Sequence, residues 1–137
     1  MNFARLALAS VAAFVVYFLI GAVTFTSPIM RNEFMRYPSI YRSQESMKGV
    51  FPIGMAAMFV AMVVLVIIYS FAYRGGSGLA EGARYGALIG AFCVCSFVIH
   101  NYVNLNIGGR LTLAQSIAYF VEWLVVGVVI GLIYKPA

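Results

Sequence analysis

The chain has 137 residues, of which 64% are apolar and only 9% charged, and a formal net charge of +5. Soluble domains carry about a quarter charged residues, and a chain this small lacks the polar surface to enclose so large an apolar share, so a water-soluble globule is excluded. The nine basic residues are scattered between apolar runs and form no groove, which excludes nucleic acid as the partner that their charge serves.

Four runs, 6–26, 51–73, 85–105 and 111–134, contain no Lys, Arg or Asp. Each is about 20 to 25 residues long, the length at which a helix rising ~1.5 Å per residue crosses a bilayer's hydrocarbon core. They predict an all-α fold. The expected architecture is a transmembrane four-helix bundle, up-down-up-down, forming a single integral membrane domain over 1–137 with the lipid bilayer as its surroundings. The first run resembles a signal peptide, but its apolar stretch is about twice the usual core and no cleavage site precedes Thr24, so it reads as a retained span.

In the first span Ser10, Ala13, Tyr17, Gly21 and Thr24 recur at helical spacing, a face of small and hydroxyl-bearing residues suited to close helix contact. Ser27-Pro28 ends that helix. The connector then places Met30, Phe34, Tyr37 and Tyr41 on one face and Arg31 and Arg42 on another. This pattern predicts a short interfacial segment between spans 1 and 2, interrupted at Pro38, with an irregular loop as the alternative.

Span 2 is expected to carry Pro52 in its first turn, and Met55, Met58 and Met62 line one face as adaptable packing rather than a copper site. The turn from Arg74 to Gly78 matches neither the P-loop nor the dinucleotide spacing. Span 3 has Gly82, Gly86 and Gly90 four apart, with Cys93, Phe97, His100 and Asn104 expected to continue that face. In span 4 Gly127 and Gly131 repeat the pattern. Such spacing makes Gly86, Gly90, Gly127 and Gly131 candidate helix-packing residues, within the bundle or between subunits. Gly108-Gly109-Arg110 forms a tight turn, so spans 3 and 4 should be antiparallel neighbours.

Ionisable groups inside a membrane are costly and need a partner or a purpose. Here they are His100 and Glu122. Asn104, Gln115 and Tyr119 are expected near them, and the sharp reading is a polar file of Asn104, Gln115, His100, Tyr119 and Glu122 that carries protons or binds a small solute. The plainer reading is interhelical hydrogen bonding. No catalytic set rises above background: Ser96 and His100 lack both a nucleophile elbow and an orienting acid, so an enzyme is not expected. One His and one Glu fall short of a metal site, Cys93 and Cys95 point apart on a helix, and no cofactor is predicted. A haem or pigment bound through His100 alone remains an alternative.

An even number of spans puts both termini on one side. Basic residues divide almost equally, with Arg5, Arg74, Arg84 and Lys135 facing Arg31, Arg36, Arg42, Lys48 and Arg110 across the membrane. The early Arg5 favours a cytoplasmic side for the termini.

Span 1 ending near Gly21-Ala22, the aromatic and basic connector from Ser27, the segment from Glu81 to Gly86 and the closing run from Gly127 to Pro136 resemble a group of small bacterial four-span inner-membrane proteins classed as domains of unknown function. The resemblance implies the fold and a bacterial inner (cytoplasmic) membrane, and no activity. The expected function is that of a non-enzymatic membrane protein acting through helix contacts, as an accessory subunit of a larger complex or as a homo-oligomer. A small-solute or proton-coupled transporter using Glu122 and His100 is the alternative.

Overall fold

Side-chain caps set where the helices begin. Asn2, Ser27, Ser43 and Ser77 each accept a hydrogen bond from the backbone N–H three residues on, satisfying a donor that the first turn leaves free. The resulting helices are α1 (Phe3–Phe25), α2 (Pro28–Met35), α3 (Gln44–Ala72), α4 (Gly78–Asn104) and α5 (Gly109–Ile133). The computed structural model describes residues 2–135, and no strand occurs among them. Helices α1, α3, α4 and α5 are all long and apolar enough to span a bilayer.

The chain is therefore an integral membrane protein built as an all-α four-helix bundle. Outward-facing residues are strongly apolar: Val23, Phe71 and Val103 are 76%, 81% and 75% exposed. In water such a surface would aggregate, whereas in lipid it costs nothing to expose.

Two local expectations change. Helix α3 starts at Gln44 rather than near Phe51, capped by Ser43, so Pro52 lies inside the helix instead of in its first turn. Serine capping outweighs the later composition change, and the turn that Pro52 leaves unbonded sits near the membrane boundary, where water can reach it. Helix α2 ends at Met35, before Pro38. Its apolar face does not turn to lipid. Met30 packs with Ile107 and Leu111, with Phe34, Tyr37 and Tyr41 alongside, so the face docks on the α4–α5 turn and the start of α5.

Polar contacts fix that docking. Glu33, only 2% exposed, meets Arg110 at 3.0 Å and Arg36 at 3.7 Å. The Gly108 backbone N–H donates to the Tyr37 hydroxyl at 2.9 Å. Nothing in the periodicity had singled out Glu33. Its spacing of three before Arg36 was the only local signal, and the Arg110 partner lies far along the chain.

Helix α5 is the hub, packed on α4, α1 and α2, while α3 leans chiefly on α1. The α4–α5 contact is made of glycines. A Cβ added to Gly82 would lie 2.5 Å from the Gly127 carbonyl oxygen, and one on Gly86 2.6 Å from that of Trp123. Gly78 abuts Gly131, and Gly90 lies against Phe120. Each advance of about four residues along α4 meets a retreat of about four along α5, an antiparallel register with the backbones touching. These glycines serve the bundle interior rather than a subunit boundary. At the α3–α4 turn Gly75 has φ +86°, the left-handed region that favours glycine.

Two outcomes follow from this packing. Gly127→Ala should cost about 2 kcal/mol, and Gly127→Leu considerably more, because the contact is backbone and cannot yield. Thermal unfolding in mild detergent measures this. Arg110→Ala should release α2 at a cost of about 1 kcal/mol, since the exposed guanidinium is partly screened. Faster proteolysis within 36–43, with the four spans still folded, is the expected readout.

Candidate functional site

The interior polar site is built where α1, α4 and α5 converge. Helix α5 points Glu122 inward at 2% exposure. On α1 the position facing it is Gly21, where an added Cβ would stand 3.0 Å from Glu122 Oε1. The missing side chain there makes room for the carboxyl group. Tyr17, Tyr119 and Cys93 lie within electrostatic reach of Glu122. The Tyr17 and Trp123 rings meet at 5.3 Å, tilted by 42°, closing the cluster on the side of the chain ends.

Among the described residues neither oxygen of Glu122 has a hydrogen-bond partner, and both are shut off from the surface. Trp123 Nε1 is also unpartnered, facing the Cys93 sulfur without meeting hydrogen-bond geometry. The gap beside Trp123, among Leu65, Tyr85, Ile89 and Val126, has no volume for a water. A carboxyl group buried without a partner costs several kcal/mol if charged. What the cluster can do chemically is accept a hydrogen bond or hold a proton.

Polar residues lead from Glu122 towards α2. Gln115 is buried on the same helix, and the Tyr41 phenol lies against its amide. Tyr119 stands between them, its ring 5.4 Å from Phe25 and 5.9 Å from Phe97, and within electrostatic reach of Tyr41. The structure thus brings together Gln115, Tyr119 and Glu122, and adds Tyr41 and Tyr17. Tyr41 had been read only as an interfacial aromatic, because its approach to Gln115 depends on how the connector folds back.

His100 and Asn104 do not join this file. Both are exposed on the outer face of α4. The cause is a π-helical segment, Val94–Ile99, within α4. A wider turn absorbs one extra residue and rotates everything beyond it by roughly 100°. The inward face therefore passes from Gly90 and Cys93 to Val98 and Asn101, not to His100 and Asn104, while the half-exposed Phe97 keeps its ring against Tyr119. Ser96 Oγ donates to the Phe92 carbonyl at 2.7 Å, a side-chain bond that competes with the regular helical one at the wide turn. Seen from the lipid, Ser96, His100 and Asn104 form an outer polar stripe at four-residue spacing, with Asn104 Nδ2 donating to the His100 carbonyl at 3.0 Å.

Among the described residues no group of three or more His, Cys, Asp or Glu is placed to hold a metal ion. His100 stands alone on its face, so any group it ligated would have to approach from outside the bundle.

Tyr41 gives the α2 side a titration handle outside the spans. Burial pushes its phenol above the usual value of 10.0, with the Gln115 amide pulling the other way and Tyr37 reinforcing the rise. An acid whose folded pKa is raised contributes stability that is complete below its unfolded value and lost as pH climbs through the folded one. Connector packing should therefore loosen as pH rises beyond about 10. Hydrogen exchange of the 36–43 backbone measures it, and Tyr41→Phe should remove that pH dependence.

Compared with family models, with curated proteins and with solved structures, the chain matches none.

Proposed function

We propose that this is a non-enzymatic membrane subunit that works by helix contact, as a small accessory component of a larger membrane complex or as its own oligomer. The supporting observation is the outward polar stripe of Ser96, His100 and Asn104 on α4. Ser96 and Asn104 bond to carbonyls of their own helix, which leaves the exposed His100 imidazole as the group that a neighbouring transmembrane helix offering polar groups would satisfy. Because the glycine faces of α4 and α5 are already used inside the bundle, association has to employ another surface, and this stripe is chemically suited to it. The resemblance to bacterial four-span proteins and the position of Arg5 support an inner-membrane location with the chain ends on the cytoplasmic side.

Purification in mild detergent tests the proposal. His100→Leu and His100→Ala should each leave the thermal unfolding of the bundle unchanged while reducing the co-purifying partner, or the native oligomer mass, at least fivefold. An assembly unaffected by both substitutions would remove the support. The mass of the wild-type assembly separates a foreign partner from a second copy.

A second reading rests on a different observation, the two unpartnered oxygens of Glu122 beside Tyr17, Tyr119 and the route to Gln115 and Tyr41. In that reading the carboxyl group takes up and releases a proton during a transport cycle. Proton flux into liposomes that disappears in Glu122→Gln, with folding unaffected, is the outcome it requires. Absence of flux in the wild type would dismiss it.

A further inference from the structure

A cleft of about 310 Å³ opens between the end of α3 and the start of α4, on the side where residues 3 and 133 lie. Its rim is cationic and its flank apolar. Arg74 and Arg84 stand at the membrane boundary with Tyr73, while Phe71 and Leu88, strongly exposed, form the wall that faces lipid. Arg84 is partly engaged, donating to the Ala72 carbonyl at 3.2 Å and pairing with Glu81. Arg74 has no ion-pair partner among the described residues.

Tyr69 forms part of the same cleft. It is 1% exposed, yet its hydroxyl has no hydrogen-bond partner among the described residues. That hydroxyl lies within electrostatic reach of Arg84, Glu81 and Tyr73, so it belongs to the polar end of the cleft. The buried hydroxyl lies near the Arg84 guanidinium and Arg74 lines the same cleft, so an anion seated there would meet both cations and the free donor.

We infer that this cleft binds the phosphate headgroup of an anionic glycerophospholipid from the leaflet facing the chain ends. Arg74 and Arg84 hold the phosphate, the Tyr69 hydroxyl donates to it, and the acyl chains lie along Phe71 and Leu88. The volume suits a headgroup and glycerol backbone, not a whole lipid. A soluble anion would leave the apolar wall unused, which is why a lipid is the occupant. Basic groups at a headgroup boundary attract anionic lipid, and two of them flanking a concave site convert general attraction into a defined position.

Native mass spectrometry of the full chain in detergent, titrated with phosphatidylglycerol or phosphatidylcholine, tests the inference. Wild type should retain one phosphatidylglycerol with clear preference over phosphatidylcholine. Arg74→Gln, which removes no contact within the fold, should weaken phosphatidylglycerol binding about fivefold. Tyr69→Phe should also weaken it, and Arg31→Gln on the opposite side should not. Equal retention of the two lipids, or binding unchanged in both Arg74→Gln and Arg84→Gln, would overturn the inference. Displacement of the lipid by inorganic phosphate at equal concentration would also overturn it, in favour of a simple anion site.

Discussion

Backbone contact between α4 and α5 is the constraint on which the rest of the structure depends. In lipid, apolar side chains gain nothing by leaving their solvent, so helices associate only where they pack better with each other than with acyl chains. The glycines at 78, 82 and 86 on α4, against those at 127 and 131 on α5, bring backbone directly against backbone along this seam. The helices can then approach until Cα atoms meet carbonyl oxygens, where dispersion and weak Cα–H···O bonds act along several turns. Because the contact is backbone against backbone, it sets register as well as distance.

Fixing α5 in this way fixes what α5 carries. Beside α4 it receives α1, and the junction encloses Glu122 against Gly21. Its beginning receives α2, through Arg110 and the apolar patch of Ile107 and Leu111. The interior polar groups are thus arranged along one helix and covered in turn by the connector between α1 and α3. A short segment that composition alone would assign to the headgroup layer becomes a plug over the Gln115 end of the file.

The π-helical segment divides α4 into two functional surfaces. Before it, the inward face is glycine and serves the bundle. Beyond it, one inserted residue sends His100 and Asn104 outward and leaves Val98 inside. Two sets of polar residues that periodicity had joined are therefore separated by the thickness of the helix. The separation links fold to proposed role: the interior retains a sealed acid, and the exterior presents hydrogen-bonding groups to whatever lies beside it.

Four spans, their alternation and the antiparallel pairing of the last two were legible in residue order, because bilayer thickness and short turns leave few other arrangements. The inward positions of Gln115 and Glu122 could be read as well, from helical spacing along an unbroken helix. The outward position of His100 could not. A single wide turn resets the phase of everything after it, and no residue pattern around Val94–Ile99 announces one. Nor could the burial of Glu33, the approach of Tyr41 to Gln115, or the cleft at Arg74 be foreseen. Each joins groups from helices distant in sequence, and only the packed bundle decides which of them meet.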